Sequence, residues 1–592
     1  MLTETENSKK QSNFASFDRK FFDSTNDFSI IGHGSIGGKA KGLAYIKKII
    51  SENINYNEFP DFSINIPRLT VLTTGVFDDF MRSNDLFQVA YGDSDDGVIA
   101  MEFQKANIPA SVVGDLRSLV NSVTSPLAIR SSSMLEDAMY HPFAGIYETK
   151  MIPNNQLDPD SRFRKLTEAI KFVFASTFFK NAKDYVKATN NKISDEKMAV
   201  IIQEVVGRRY GDRFYPNISG VGRSVNIYPI GKSKPEEGVV NLALGLGKTI
   251  VDDGISWSFS PFHPKAKPPF ASINALLDET QKKFWSVNMG KPSAYDPTKE
   301  TEYLLENEIS SAETDGTLSY IASTFDAASE KIVPGIIRKG PRAIDFAPIL
   351  DLNTVPLNKV IKTILKMCEE ASGTAVEIEF AVTLDNENGL PARFGFLQVR
   401  PMVVSLKQVK ITDEDLADEN LLLSSAKVMG NAVLNNIDDI IFVKPGSFES
   451  KYTTLISREI EELNREMQNA GKKYLLIGFG RWGSSDPWLG IPVKWGQISN
   501  AKVIVESMLP NMNVELSQGS HFFHNITSFE VLYFSLKEDT DNNIDWNWLN
   551  EQEIVTEKNY VKHVRCKQPL LIKADGRTAK GIILKSNKNE PG

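Results

Sequence analysis

Cysteine is scarce in this sequence: Cys368 and Cys566 are the only two, far apart and in no CxxC pattern. This usage indicates a reducing compartment and excludes a cysteine-based zinc site, so any metal is expected to have oxygen ligands. A run of about 18 apolar residues is also missing, and the N-terminus has no apolar signal segment. The sequence therefore predicts a cytoplasmic protein with no membrane partner.

An excess of basic residues is missing as well. The formal net charge is −8 and the pI is about 5.6, so the overall field does not favour a nucleic-acid partner. Internal repeats and low-complexity tracts are absent, and a content of 41% hydrophobic and 24% charged residues excludes wholesale disorder. A chain of 592 residues is too long for one core, which predicts about three to four domains.

What is present is a stretch of alternating residues at 376–401, VEIEFAVTLDNENGLPARFGFLQVRP. On its first half, alternation places Glu377 and Glu379 on one face and the apolar side chains on the other. After a polar turn, its second half brings Gln398 and Arg400 to one face. The stretch predicts a β-hairpin on which two carboxylates, an amide and a guanidinium converge.

The polar face of this hairpin suits a triphosphate bound with magnesium. Mg²⁺ prefers oxygen ligands from one or two carboxylates together with the phosphates, and Arg400 would offer a planar fork to phosphate oxygens. Phe394 and Phe396 fall in step with Gln398 and Arg400, so they are expected to give this face an aromatic end. The alternative is a solvated strand face with an ordinary cross-strand Glu/Arg pair.

A glycine-rich turn at 28–50, FSIIGHGSIGGKAKGLAYIKKII, leads into a predicted helix. Its formal G-x-G-x-x-G at Gly32, Gly34 and Gly37 is a weak dinucleotide signal, because no clean βαβ unit with a ribose-binding acid follows. Lys39 opens the helix, where backbone N–H groups and the helix dipole favour an anion. Lys39 is therefore a candidate phosphate ligand, and the alternative is a solvated lysine beside a glycine turn.

A second candidate anion ligand is Arg130, at the end of a short buried strand and before a run of serines. An arginine in that position usually meets an anion, although a surface turn with Glu136 and Asp137 is the alternative. The strand KMAVIIQEVVG at 197–207 ends at Gln203–Val206, an extended edge suited to pairing with adenine.

Several other segments are predicted to be structural. Thr73 and Thr74 are expected to cap a helix, and the helix at 357–371 is expected to bury Cys368. The aromatics of the helical stretch 162–191 are expected to pack in the core; they are Phe172, Phe174, Phe178 and Phe179. GLGKT at 245–249 is not a P-loop, because position 242 is leucine where that motif needs glycine.

With these pieces assembled, the chain resembles the nucleotide-binding domain of the phosphoenolpyruvate synthase and pyruvate phosphate dikinase family. The resemblance spans roughly residues 30–405. Four blocks carry it in the expected order: GGKAKGL at 37–43, RSSSMLEDAMYHPFAG at 130–145, IIQEVV with SGVGRS and GLG, and EIEF with LQVRP.

The resemblance implies roles for matching positions. It implies that Lys39 and Arg130 bind the ATP phosphates and that Glu377 and Glu379 bind Mg²⁺. It further places Gln398 and Arg400 on the metal or the phosphates, and Glu204 and Val206 near adenine. In that family ATP donates its β-phosphoryl group to a histidine on a mobile domain, AMP is released, and a second domain passes the phosphate to the acceptor.

The family's phosphohistidine signature and its pyruvate-binding barrel are not recognisable here, which leaves the acceptor open. GRWGSSDPWLGIPVKWG at 480–496 is either a binding loop or an aromatic-packed structural loop. His521 and His524 are candidates to carry a phosphoryl group or act as acid/base, with hydrogen-bonded core residues as the alternative. His521 is preferred because it follows a turn directly.

The fold class expected is α+β, with an ATP-grasp-like module in two subdomains followed by a smaller α/β domain. The predicted boundaries are a polar leader at 1–26, subdomains at 27–195 and 196–405, a linker at 406–440 and a C-terminal domain at 441–592.

The function expected is an ATP- and Mg²⁺-dependent phosphotransferase, with Lys39, Arg130, Arg400 and His521 as catalytic residues. One alternative is a dikinase-like enzyme with a non-pyruvate acceptor, such as an antibiotic, a glucan or a protein. Another is an ATP-binding regulatory or partner subunit whose phosphohistidine lies on a separate chain. A homodimer is also left open.

Overall fold

The computed structural model describes residues 14–19, 27–134, 145–187, 191–226, 233–252, 254–267, 272–291, 294–384, 391–402, 409–484, 486, 488–509, 526, 529–536, 544–576 and 578–585. The chain divides into two compact units. The first unit comprises 1–224, 237–250 and 255–401, and the second comprises 225–236, 251–254 and 402–592. Each unit has its own hydrophobic core and combines helices with sheets, a mixed α/β architecture. Within the described ranges, no helix is long and apolar enough to cross a membrane.

The first sheet of the first unit mixes parallel and antiparallel strands. Its strand order is Ala15–Ser16, Phe28–Ile31, Leu69–Leu72, Met198–Glu204, Leu127–Ser133 and Thr149–Ile152. Met198–Glu204 pairs with strands on the far side of the boundary predicted at 195/196, so this sheet spans both predicted subdomains. Among the described residues, the helices of this part of the chain are Gly37–Asn53, Thr74–Ser83, Phe87–Tyr91, Asp96–Lys105, Ala110–Ser122, Pro159–Ser176 and Lys180–Lys187.

Aromatic side chains form much of the core beside this sheet. Phe174 packs against Phe77 and Phe80, and Phe178 against Phe77 and Phe103. The expectation that the aromatics of 162–191 are core residues is confirmed, because all four phenylalanines are buried.

The second sheet of the first unit contains the predicted hairpin. Its strand order is Trp257–Phe259, Val239–Ala243, Ile218–Arg223, Val376–Thr383, Ala392–Pro401 and Phe62–Asn65. The predicted amphipathic helix is confirmed as Leu357–Ser372 and ends at Gly373, whose φ of +66° favours glycine. Cys368 lies on its buried face, as expected, and burial raises the pKa of its thiol to about 12.

Two smaller sheets complete the first unit. One has the order Leu304–Glu308, Lys283–Asn288, Arg213–Tyr215 and Arg208–Tyr210, and the other has the order Lys331–Pro334, Ala322–Asp326 and Arg342–Ile344. The short helices of this part are Lys248–Val251, Ile273–Glu279, Ile309–Thr314 and Ala347–Leu350.

The second unit is built on a large mixed sheet. Its order is Leu421–Ser425, Lys580–Leu584, Val561–Asp575, Asn431–Val443, Tyr474–Phe479, Ala501–Ser507, Leu532–Ser535 and Val428–Met429, with Glu553–Glu557 beside Val561–Asp575. The strands from Asn431–Val443 to Leu532–Ser535 are parallel. Helix Thr453–Asn469 connects the first two of these, and the described ranges of the unit also include helices Asp413–Leu416 and Trp546–Glu551.

Two features of the second unit bear on the sequence predictions. Residues 409–440, assigned to a linker, instead contribute a short helix and strands to the large sheet. In the loop after Phe479, Trp482 is fully buried and donates its indole N–H to Val505 O at 3.1 Å. Trp495 stacks on Phe529 at 4.8 Å between ring centroids. These contacts favour the aromatic-packed alternative for the loop, although Trp488 is exposed.

Candidate functional site

The two strands of the hairpin pair in the register that brings the predicted polar side chains together. Glu377 lies opposite Arg400, and Glu379 lies opposite Gln398. Cross-strand partners project to the same face of a sheet, so the four side chains form one cluster. The turn between the strands lies outside the described residues.

A β-bulge corrects the expectation for Phe394 and Phe396. The register shifts between Glu379 and Phe380, so that Phe380 pairs with Phe396 instead of continuing the regular pairing. Leu397 is the extra residue of the bulge, so side chains before it project to the opposite face from the one that regular alternation predicts. Both phenylalanines consequently join the apolar core, where Phe394 stacks on Phe380 at 4.8 Å, and the polar face has no aromatic end among its described residues.

Arginines bridge the carboxylates of this cluster. Arg400 Nη2 donates to Glu379, and Arg400 Nε lies 3.3 Å from Glu377 Oε1. Arg130 reaches the same cluster from the first sheet, donating its Nη2 to Gln398 Oε1 at 2.7 Å and to Glu379 Oε2 at 3.4 Å. The hairpin therefore meets strand Leu127–Ser133 at Arg130. The expectation that this strand ends at Arg130 was wrong, because Ser131, Ser132 and Ser133 continue its pairing with Met198–Glu204.

Arg223 is part of the same network, although no role was assigned to it from the sequence. It lies opposite Glu377 on the neighbouring strand, and its Nε donates to Glu377 Oε2 at 2.8 Å. The sequence feature that could have identified Arg223 is its position in the SGVGRS block, but that block was used only as evidence for the family resemblance. The glycines of that block break the alternation that would have marked its side chain as facing the glutamates.

The glycine-rich turn brings Lys39 to the strand that carries Arg130. Lys39 Nζ donates to Ser131 Oγ at 3.1 Å, one residue after Arg130. Ser132 Oγ accepts a bond from the Ala40 N–H at 3.1 Å and donates to Ile36 O at 2.8 Å, which ties the first turn of the helix to the strand. The lysine is thus positioned by backbone contacts on both sides of it.

Close packing at this junction requires glycine at position 37. Gly37 has a φ of +76°, and a Cβ there would lie 1.6 Å from Ser132 O. Gly42, one turn further along the helix, is different: a Cβ there would meet Val399 O at 3.7 Å, an ordinary contact. The helix therefore approaches the Ser132 strand without a side chain at position 37.

Thr73 and Thr74 hold the glycine-rich turn rather than cap their own helix through their side chains. The helix begins at Thr74, as predicted, but Thr73 Oγ1 donates to His33 O at 2.6 Å. Thr74 Oγ1 accepts from the Ser35 N–H at 3.0 Å. The expectation of a side-chain cap was wrong because carbonyls of the turn satisfy the first helical N–H groups instead.

The predicted adenine-binding edge lies at the end of strand Met198–Glu204. The Glu204 N–H donates to Arg68 O at 3.0 Å and the Val205 N–H to Pro126 O at 2.9 Å, so both donors are used within the fold. Glu204 also accepts from Ser125 Oγ at 2.7 Å. The side chain of Val206 packs over Gly395 of the hairpin, where a Cβ would lie 2.4 Å from Val206 Cγ2. Val206 thus contacts the strand Ala392–Pro401, which also carries Gln398 and Arg400 of the polar cluster.

The oxygen atoms of the cluster fit a magnesium ion in part. Glu379 Oε2 and Gln398 Oε1 both point at one cationic atom, Arg130 Nη2, so two protein oxygens already converge on a single position. Mg²⁺ needs no more than one or two carboxylates when phosphates supply the remaining oxygens. Glu377 fits less well as a direct ligand, because its side chain is only 2% exposed against 14% for Glu379.

Other candidates from the sequence lie apart from this cluster. Lys248 of GLGKT donates to Glu300 Oε2 at 3.0 Å, in keeping with the rejection of a P-loop. His521, His524, Glu136 and Asp137 lie outside the described residues. Across the part of the chain that is described, no group of three His, Cys, Asp or Glu side chains is arranged to hold a metal.

A known protein family matches most of the chain. Residues 33–420, more than half of the chain, match the family model described as pyruvate phosphate dikinase, AMP/ATP-binding domain. The matched range contains the glycine-rich turn, Arg130 and the hairpin. No curated protein matches the chain.

Proposed function

Because the chain belongs to the pyruvate phosphate dikinase AMP/ATP-binding domain family, we propose that it is an ATP- and Mg²⁺-dependent phosphotransferase with AMP as product. The observation that supports this proposal is the convergence of Arg130, Arg400, Glu379 and Gln398 in the first unit, where Lys39 binds the residue after Arg130. The first unit would be the ATP-grasp-like module expected from the sequence.

In this proposal the basic side chains hold the triphosphate. Lys39 and Arg130 lie on neighbouring elements and would contact phosphate oxygens, while Arg400 would present its guanidinium to the transferred group. Fixed positive groups of this kind stabilise the charge that develops in phosphoryl transfer without reorganising during the step. The Glu204 carbonyl and Val206 would contact the adenine.

The acidic side chain of Glu379 and the amide of Gln398 would hold the magnesium ion. A bound Mg²⁺ neutralises phosphate charge and orients the phosphates. Arg130 contacts both side chains now, and it would turn to the phosphates when these oxygens take a metal. Glu377 would position the guanidinium of Arg400 and would not bind the metal directly.

Nucleotide product analysis tests the proposal. Purified protein is incubated with ATP and Mg²⁺, with and without pyruvate, and AMP, ADP, phosphate and pyrophosphate are resolved. We expect AMP, and pyruvate dependence would identify the acceptor. Glu379→Ala should abolish turnover while the circular dichroism spectrum stays that of wild type. ADP as the only nucleotide product, or unchanged turnover in Glu379→Ala, would contradict the proposed reaction or site.

A further inference from the structure

Three charged side chains form a ladder across neighbouring strands of the second sheet. Arg223 on Ile218–Arg223 lies opposite Glu377, and Glu377 lies opposite Arg400 on the next strand. Arg223 Nε donates to Glu377 Oε2, and Arg400 Nε lies beside Glu377 Oε1. Each carboxylate oxygen of Glu377 thus has its own guanidinium.

We propose that Arg223 is a positioning residue of the ATP site, which acts through Glu377 to fix the guanidinium of Arg400. This inference rests on the proposed function, since it gives Arg400 its role toward the phosphates. It assigns Glu377 to the support of an arginine, which separates its role from that of Glu379.

The charges of the ladder explain why a second arginine is needed. Glu377 is nearly fully buried, and a buried carboxylate with a single arginine partner would draw that guanidinium fully to itself. Because Arg223 binds Glu377 Oε2, Arg400 keeps its Nη2 directed at Glu379. Arg130 and Arg400 both contact the carboxylate of Glu379, while Arg223 contacts that of Glu377.

The residue after Arg223 fixes the ladder in register. The Ser224 N–H donates to Val376 O at 2.9 Å, and Ser224 Oγ accepts from the Val376 N–H at 3.0 Å. Ser224 Oγ also donates to Glu369 Oε1 at 2.9 Å, on the helix that precedes the hairpin. Arg223 is therefore held on rigid elements, as a positioning role requires.

Affinities for ATP and AMP, measured by calorimetry in the presence of Mg²⁺, test this role without depending on turnover. In Arg223→Met we expect the Kd for ATP to rise about tenfold, the size of one lost charge-assisted hydrogen bond. The Kd for AMP should stay within about twofold, because AMP lacks the β- and γ-phosphates that Arg400 would contact. Arg223→Lys, which keeps the charge, should recover part of the ATP affinity.

The double variant Arg223→Met with Glu377→Gln separates action through Glu377 from an independent effect. We expect it to bind ATP no more weakly than Arg223→Met alone, because the unpaired carboxylate is gone. Arg213→Met is the matched control. Arg213 lies on a strand of another sheet in the same unit and pairs with Asp315, so its removal should change neither the ATP nor the AMP affinity.

Equal losses of ATP and AMP affinity in Arg223→Met, or none, would overturn the inference, as would additive losses in the double variant. Wild-type protein that binds ATP but forms no AMP would contradict the proposed phosphotransfer while leaving this test intact.

Discussion

At the level of single residues, the carboxylate of Asp439 contacts three side chains in the second unit. It is fully buried, with His563 Nε2 at 2.8 Å and Arg565 Nε at 3.0 Å from Oδ1, and Lys472 Nζ at 3.0 Å from Oδ2. Burial alone would raise the pKa of Asp439, but hydrogen bonds from His563, Lys472 and Arg565 outweigh it and hold this pKa well below its ordinary value. The charged form of Asp439 is therefore part of the stability of this unit.

Replacing Asp439 by asparagine should lower the free energy of unfolding of the second unit by about 1.5–3 kcal/mol at pH 7, because the buried carboxylate accepts charge-assisted hydrogen bonds from Lys472 and Arg565 that a neutral amide does not replace. The folded-state pKa is depressed, so this stabilisation is present above the unfolded pKa of about 4 and is lost as the pH falls below it. Denaturant unfolding at pH 7 and pH 3 measures the effect, which should shrink at pH 3.

The neighbouring residue provides the control for this prediction. Asp438 lies 3.6 Å from the same Lys472 but is exposed, so Asp438→Asn should cost less than about 1 kcal/mol. Equal losses for the two variants would show that burial at Asp439 is not the cause.

At the level of elements, the start of helix Gly37–Asn53 depends on its contact with strand Leu127–Ser133. Gly37→Ala places a Cβ against Ser132 O in a left-handed backbone conformation, so we expect the helix start to move away from the strand. Lys39 would then separate from Ser131, and the affinity for Mg·ATP should fall by at least about tenfold. Calorimetric titration of the variant measures this loss.

Gly42→Ala in the same helix is the matched control for Gly37→Ala. Its Cβ meets only ordinary contacts, so ATP affinity should be kept and the helix stabilised by about 0.5–1 kcal/mol. Loss of ATP affinity in both variants would mean that any side chain added to this part of the helix disturbs the site, and that the contact at Ser132 has no special role.

The elements also show what local patterns can predict. The face on which Glu377 and Glu379 lie followed from alternation, since these residues differ from their apolar neighbours at every second position. The bulge at Leu397 could not be predicted, because it depends on the pairing of Phe396 with Phe380 on the other strand, which the local sequence does not specify. Arg223 was missed for the same reason: its importance comes from a strand more than 150 positions away in sequence.

At the level of the whole molecule, the two units differ in how readily the sequence predicts them. The first unit carries motifs whose chemistry constrains their positions, and the family match covers most of it. The segment 409–440 has no such motif, and its short strands such as Leu421–Ser425 become recognisable only through their partner Lys580–Leu584. Pairing between distant strands is decided by tertiary structure, which local composition does not encode.

Separate cores in the two units predict two transitions in calorimetric unfolding. Mg·ATP at about 100 times its Kd should stabilise the first unit by about 2.7 kcal/mol, because ligand that binds only the folded state shifts its unfolding by mass action. The transition that moves with ATP should also be the one that Gly37→Ala alters, whereas Asp439→Asn should lower the other. If ATP raised both transitions equally, the second unit would share in nucleotide binding, and the assignment of the ATP site to the first unit alone would be wrong.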